Sequence, residues 1–364
     1  MRVGIDIRKY YDYGIGTYIQ NLAHTFEERS DLSCVYFIPD EYRSRITTSL
    51  RGEFVSENSS KYSLKELISV SENANAQQLD LFHAPHYTLP INLKMPSIVT
   101  IHDIIHLRLK QYFSLPKRAY AYWMIRHACK ASSAVIVDSE FGKKELMQVF
   151  NIREEKIRVV PLGVNQLYFE KTNEEEKERI RKKYEITKPY ILYTGSVKPH
   201  KNIPTLLRAF KKILIHNDMQ LVFTGENLLV NPSLVAIVQE LQLKKSIIDL
   251  GRIGIEELKT VYQSASVVVL PSFYEGFGFS MLEGMASRVP VVGARATSIT
   301  EVVGDAGLLF DPSDENELAK QLESLFSNSM LRSELINKGV ERAKKYTWKN
   351  CAEKTLKIYR EVAK

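Results

Sequence analysis

Short apolar runs alternate with segments of helical spacing along the whole chain. In the first half RVGIDI (2–7), CVYFIP (34–39), LFHAP (81–85), SIVTIHD (97–103), AVIVDS (134–139) and RVVPLG (158–163) predict strands. In the second half YILYTGS (190–196), QLVFTGE (220–226), IIDLG (247–251), SVVVLPS (266–272), VPVVGA (289–294) and GLLF (307–310) do the same. Several are apolar at nearly every position, the pattern of parallel strands covered on both faces. Between them lie segments such as IPTLLRAFKKIL (203–214), with apolar residues three and four apart. This is the alternation of βαβ units, written twice. The charge-rich stretch 169–188, FEKTNEEEKERIRKKYEITK, divides the two series and reads as a linker followed by an exposed helix. We therefore expect an α/β chain of two Rossmann-like domains, 1–168 and 169–346, with a ligand cleft between them beyond the carboxyl ends of the strands. The last stretch, 347–364, places Trp348, Ala352, Leu356 and Tyr359 on one helical face.

Composition changes this picture little. With 44% hydrophobic and 26% charged residues the chain is not a disordered one. The start, MRVGIDIRKY, lacks the apolar core of a signal peptide, and no apolar run approaches membrane-span length. The 3 cysteines, Cys34, Cys129 and Cys351, are far apart and fit a reducing, cytoplasmic setting. The net charge of +7 suits an anionic ligand or membrane surface and does not by itself imply nucleic acid. The distribution is more telling. From Ile104 to Val137 there is no Asp or Glu, while Arg108, Lys110, Lys117, Arg118, Arg126 and Lys130 are interleaved with Tyr112, Phe113, Tyr120, Tyr122 and Trp123. Two readings stand: a membrane-surface contact, and a helix with its aromatics in the core and its cations in water.

Chemistry is expected in the loops that follow strands. Gly14 and Gly16 precede a helical pattern and suit either a phosphate loop or a tight turn. After the glycine of TGSVKPHKN come Lys198 and Lys201, which suit a phosphate or simply solvent. HAPHY (83–87) and HDIIH (102–106) hold four histidines and Asp103, but HDIIH directly follows a strand, which favours a single cleft-facing His102 over a helical metal site. In FYEGFGFSMLEGMASRVP (273–290), Glu275 lies in a glycine-rich loop and Glu283 in the first turn of a helix. Ser280 and Glu283 have the spacing of a capping box, so Glu283 has a structural explanation that Glu275 lacks.

EGFGFSMLEGMASRVPVVGA (275–294) resembles the E-x7-E segment of retaining GT-B glycosyltransferases of family 4, also called group 1. The resemblance runs along nearly the whole chain in order: GIGTY (14–18), HAPHYTLP (83–90), VTIHDIIHLR (99–108), VVPLGVN (159–165), LYTGSVKPHKN (192–202), EVVGDAGLLFDP (301–312) and the Trp-led final helix. It implies a GT-B fold whose last helix, 347–364, returns to the N-terminal acceptor domain, with 169–346 binding the donor. It implies Glu275 facing the transferred sugar, His102 near the sugar's 6-hydroxyl and Lys201 on the diphosphate. It also implies amides of Gly276, Phe277 and Gly278 on sugar hydroxyls, Ser280 and Met281 on the diphosphate, and Glu283 on the ribose. Gly16 would approach the diphosphate, and Ile253 would contact the base. Where many relatives carry Arg after the phosphate-loop glycine, this chain has Ser196; Arg252 is a candidate source of that charge from another place. No Asp-x-Asp metal motif is present, so metal-independent transfer without a cofactor is expected. The resemblance implies a GDP-mannose or UDP-hexose donor, a glycan or lipid-linked oligosaccharide acceptor and a peripheral inner-leaflet contact through 105–130. A sugar-nucleotide epimerase and a non-catalytic nucleotide-sugar-binding protein share the architecture and stand as alternatives.

Overall fold

The structure, a computed structural model, describes residues 1–363. It divides into two compact units, Met1–Gly163 with Trp348–Lys364, and Val164–Thr347. The division falls before the expected one. The 3₁₀ turn Gln166–Phe169 belongs to the second unit because Tyr168 is buried there against Tyr262. The segments leaving and re-entering that unit are bridged, Val164 to Thr347.

The first unit is built on seven parallel strands: β1 (Arg2–Asp6), β2 (Ser33–Ile38), β3 (Glu53–Ser56), β4 (Leu81–Ala84), β5 (Ser97–Thr100), β6 (Ala134–Val137) and β7 (Ile157–Val159). Their order is β3-β2-β1-β4-β5-β6-β7. β3 has no counterpart among the expected strands. It is a four-residue edge strand with only Phe54 and Val55 half-buried, so it has neither the length nor the apolar continuity of its neighbours. The central strands β4, β5 and β6 are buried at every position. The helix Trp348–Val362 packs in this unit beside the helix Tyr13–Glu27, with Tyr359 against Phe26 and His83.

The second unit carries six parallel strands: β8 (Tyr190–Gly195), β9 (Gln220–Gly225), β10 (Ile247–Asp249), β11 (Val267–Leu270), β12 (Val291–Ala294) and β13 (Leu308–Phe310). Their order is β10-β9-β8-β11-β12-β13, so β8 and β11 are central neighbours although the chain visits β9 and β10 between them. The order of strands reverses direction at this pair, the place where open parallel sheets bind ligands beyond their carboxyl ends. The loops after β8 and β11 both begin there.

Candidate functional site

The loop after β8 is fixed by one residue. Asn202 has a left-handed backbone, φ +55°, a conformation that asparagine tolerates. Its Nδ2 donates to the carbonyls of Pro271 (3.0 Å) and Pro312 (2.7 Å), and its Oδ1 accepts from Thr205 (2.8 Å). The loop after β8 is thereby tied to the ends of β11 and β13. The preceding residue, Lys201, projects its Nζ to within 2.6 Å of Glu275 Oε1, and Ser272 Oγ donates to the same oxygen (2.6 Å). Lys201, Ser272 and Glu275 thus meet at the carboxyl end of the sheet, with Ser196 on the same loop as Lys201. The Ser196 carbonyl accepts from the Tyr193 hydroxyl (2.6 Å).

The Glu275 loop is held from its other side. Its amide donates to Thr297 Oγ1 (3.1 Å), and Ser298 Oγ donates to the carbonyls of Glu275 (2.8 Å) and Phe277 (3.1 Å). Gly278 closes the loop with φ +107°, a conformation that a side chain would strain, and serves as the N-cap of the helix Phe279–Ala286. This overturns the capping-box reading of Ser280 and Glu283. The helix begins one residue before Ser280, there is no side-chain cap, and Glu283 falls in the second turn. The Glu283 carboxylate accepts instead from the Tyr262 hydroxyl (2.7 Å), and the nearby Tyr168 hydroxyl favours its charged form. Burial raises its pKa above the ordinary carboxylate value, with the two hydroxyls pulling the other way. Met281 is fully buried, and its amide donates to the Gly278 carbonyl (3.1 Å).

Arg252 and Ile253 follow β10, the edge strand two places from β8 in the sheet. Gly16 lies within the first turns of the helix Tyr13–Glu27 rather than before it. A Cβ there would come within 2.5 Å of the Tyr10 carbonyl, so close backbone packing alone demands glycine.

In the first unit His102 stands after β5. Its Nδ1 is 2.8 Å from Asp138 Oδ2, and its Nε2 is 3.2 Å from the Pro85 carbonyl. Burial works against a charge on His102, but Asp138 more than offsets it and lifts the imidazole above its usual range. Burial pushes Asp138 up as well, with His102 opposing. Both ring nitrogens face acceptors, the geometry of an imidazolium donating twice. His106 lies in the short helix Ile105–Arg108, which His102 precedes, so the two do not share a helical face. Among the described residues no three His, Cys, Asp or Glu side chains converge on a metal position.

The basic aromatic stretch forms the helix Leu115–Ala131. Met124, Ile125, Ala128 and Cys129 fill the core, while Leu115, Tyr122 and Trp123 are 72%, 41% and 48% exposed beside Lys117, Arg126 and Lys130. The reading that puts these aromatics in the core fails for Tyr122 and Trp123. Among the described residues no helix is long and apolar enough to cross a membrane.

Several partners of these residues lie outside any sequence motif. Asp138 closes the strand β6 beside β5 and was legible as a polar residue at a strand end. Tyr168 and Tyr262, some hundred residues apart, announce nothing.

Comparison with known proteins agrees with the two-unit architecture. The family models described as Glycosyltransferase Family 4 and Glycosyl transferases group 1 match residues 13–166 and 176–342. O-antigen chain mannosyltransferase B of Escherichia coli is 29% identical over 77% of this chain and 74% of its own. O-antigen chain mannosyltransferase RfbU of Salmonella typhimurium is 28% identical over 66% of this chain and 63% of its own. The crystal structure of Anabaena HepE in complex with UDP and glucose superposes with a TM-score of 0.82 at 16% identity, covering 99% of this chain and 100% of that one. Each of the two units has its own matching family model, in the order the family requires, and the chain belongs to the family 4, or group 1, glycosyltransferases of GT-B fold.

Proposed function

We propose that the protein transfers a hexose, with mannose from GDP-mannose as the preferred donor, to a hydroxyl of a glycan or lipid-linked acceptor with retention at the anomeric carbon. The observation that carries this reading is the Lys201–Glu275 contact of 2.6 Å at the carboxyl end of the central strands. A cation and a carboxylate side by side at the end of a parallel sheet suit a diphosphate and a sugar, which supports the reading. In this reading Lys201 turns to the diphosphate when donor arrives, and Glu275 faces the sugar. The amides of Gly276, Phe277 and Gly278 take sugar hydroxyls. The Met281 amide already serves Gly278, which makes Ser280 the better placed of the two for a phosphate oxygen. The leaving phosphate receives the acceptor's proton on the face it departs from, and charge on it is met by prearranged donors. In this reading Glu275 and Glu283 do not act as a glycosidase pair: Glu283, which accepts from Tyr262, takes the ribose that the resemblance implies for it. Mannose as the transferred sugar is supported by the names of the two O-antigen relatives, and the guanine base by the resemblance alone.

A thermal-shift panel of GDP, UDP, ADP and dTDP sugars tests the donor. The greatest stabilisation by GDP-mannose is the expected outcome, and greater stabilisation by a UDP-hexose would reassign it. Donor consumed without acceptor and converted to an isomeric sugar nucleotide would make the protein an epimerase instead. Transfer is expected to persist in EDTA. Activity abolished by the chelator and restored by Mg²⁺ or Mn²⁺ would remove metal independence from the reading.

Glu283→Gln tests the ribose contact. A hydrogen bond to a charged acceptor contributes about 1.5–3 kcal/mol, so donor affinity should fall roughly 10- to 100-fold. Because Gly278 and not Glu283 ends the helix, thermal stability should change little. An unchanged dissociation constant would remove Glu283 from the donor site.

The exposed aromatics and cations of the helix Leu115–Ala131 support a peripheral contact with an anionic leaflet. Each such cation contributes about 1 kcal/mol near an anionic surface. Trp123 is the exposed tryptophan and Trp348 the buried one, so emission should shift to the blue with phosphatidylglycerol vesicles through Trp123. No shift at low ionic strength would rule the contact out.

A further inference from the structure

Three buried polar atoms of the first unit surround one exposed tyrosine. Lys9 is 4% exposed, and its Nζ has no hydrogen-bond partner. It sits 3.9 Å from the centroid of the Tyr62 ring, directly over its face. His86 is 8% exposed, its Nδ1 is equally unpartnered, and its ring centroid lies 5.7 Å from that of Tyr62. The hydroxyl of Tyr120 is buried without a partner, on a ring 6.5 Å from Tyr62. Tyr62 itself is 44% exposed and has φ +64°, an uncommon backbone for an aromatic residue. Unmade hydrogen bonds in a buried place are costly, and three around one ring call for an explanation.

The nearby carboxylates do not supply it. Those acting electrostatically on Lys9 are Glu66, Asp6 and Asp12. Glu66 and Asp6 are bonded to Arg8 at 2.8 and 2.6 Å, and Asp12 to Lys61 at 2.6 Å. Glu57, 1% exposed and acting on Arg8, is a fourth carboxylate beside Glu66, Asp6 and Asp12, so Arg8, Lys61 and Lys9 are already outnumbered although the hydrogen bonds of Lys9 are not made. An anion added here would deepen that excess of negative charge, whereas a neutral polyol would supply oxygen atoms at no cost in charge. The surrounding rings of Tyr62, His86 and Tyr87 offer the flat apolar surfaces on which the C–H face of a pyranose packs.

We propose that Lys9, His86 and Tyr120 form a sugar subsite covered by Tyr62, and that a neutral pyranose of the acceptor enters it. The Tyr62 ring lifts from Lys9 and stacks on the sugar, whose hydroxyls accept from Lys9 Nζ and exchange hydrogen bonds with His86 Nδ1 and the Tyr120 hydroxyl. The assignment to the acceptor rests on the transferase reading above; the subsite itself rests on these four side chains.

Saturation-transfer NMR with the methyl α-glycosides of mannose, glucose and galactose tests it, with glucose 1-phosphate as the anionic arm. At least one neutral glycoside should receive saturation on its ring protons, and Lys9→Met and Tyr62→Ala should each weaken that binding at least tenfold. Tyr120→Phe, which removes only a hydroxyl, should weaken it less. Neutral glycosides that do not bind, or that bind the variants equally well, overturn the proposal, and binding of glucose 1-phosphate alone replaces it with an anion site. Nucleotide-induced thermal shifts measured on the same variants should match those of the unaltered protein. Their absence from the unaltered protein would sink the transferase reading and leave the sugar subsite standing.

Discussion

Lys201→Ala is expected to lower kcat by about 10²- to 10³-fold, the loss typical of removing one prearranged donor from a developing oxyanion. The same change should alter the donor dissociation constant far less, because charge on the leaving phosphate peaks in the transition state. The expectation follows from the proposed role of Lys201 and from Ser196 standing where the resemblance would place an arginine to share the work. The Lys201 and Glu275 side chains are only 17% and 14% exposed, so solvent screens their charges weakly. Removing Lys201 also leaves Glu275 with Ser272 but no cation, which should cost stability modestly and is separable from catalysis by a melting curve. Lys201→Arg keeps the charge on a planar, bulkier group and should recover only part of the rate. A near-normal kcat in Lys201→Ala would show that the helix N-terminus alone carries the leaving group.

The architecture was legible because parallel strands buried on both faces leave continuous apolar runs, and twelve of the thirteen strands did so. β3 escaped because an edge strand of four residues need not be apolar. The site divides along a similar line. Lys201 and Glu275 each follow a strand, and adjacent strand ends bring such residues together whatever the intervening sequence. Glu283 was ambiguous because the capping-box spacing in Ser280 and Glu283 is only a pattern, whereas the actual helix start is set by Gly278 and its positive φ. Its tyrosine partners come from distant segments, and only the folded chain relates Tyr168 to Tyr262. Lys9 shows the limit most sharply. Nothing in IDIRKYYD separates Lys9 from Arg8, yet the fold buries both and gives hydrogen-bonding carboxylates only to Arg8.

The first unit should lose stability on acidification through His83, by about 3 kcal/mol between neutral pH and pH 4. His83 is fully buried, with Nδ1 2.6 Å from the Tyr359 hydroxyl and Nε2 2.8 Å from Thr100 Oγ1. It therefore joins the final helix to the centre of the sheet. Burial, aided by the charge of His102, lowers its pKa to about 3. In the unfolded chain a histidine takes its proton near 6.5. Between those values the unfolded state binds the extra proton and the folded state does not, so stability falls as pH falls, and the loss is complete at roughly 5 kcal/mol below the folded pKa. His86 is lowered by burial and acts in the same direction, whereas Asp138 and Glu66 are raised and act in the opposite one. The comparison must therefore be with His83→Gln, which keeps a donor and an acceptor for the two hydroxyls and cannot titrate. Both tryptophans, Trp123 and Trp348, lie in the first unit, so their fluorescence follows its unfolding without a contribution from the second. Denaturant midpoints should differ by a constant amount above pH 7, and the unaltered protein should lose ground steadily as pH is lowered. Parallel curves down to pH 4 would mean that His83 accepts its proton in the folded state, and that the junction between the final helix and the sheet opens before the unit unfolds.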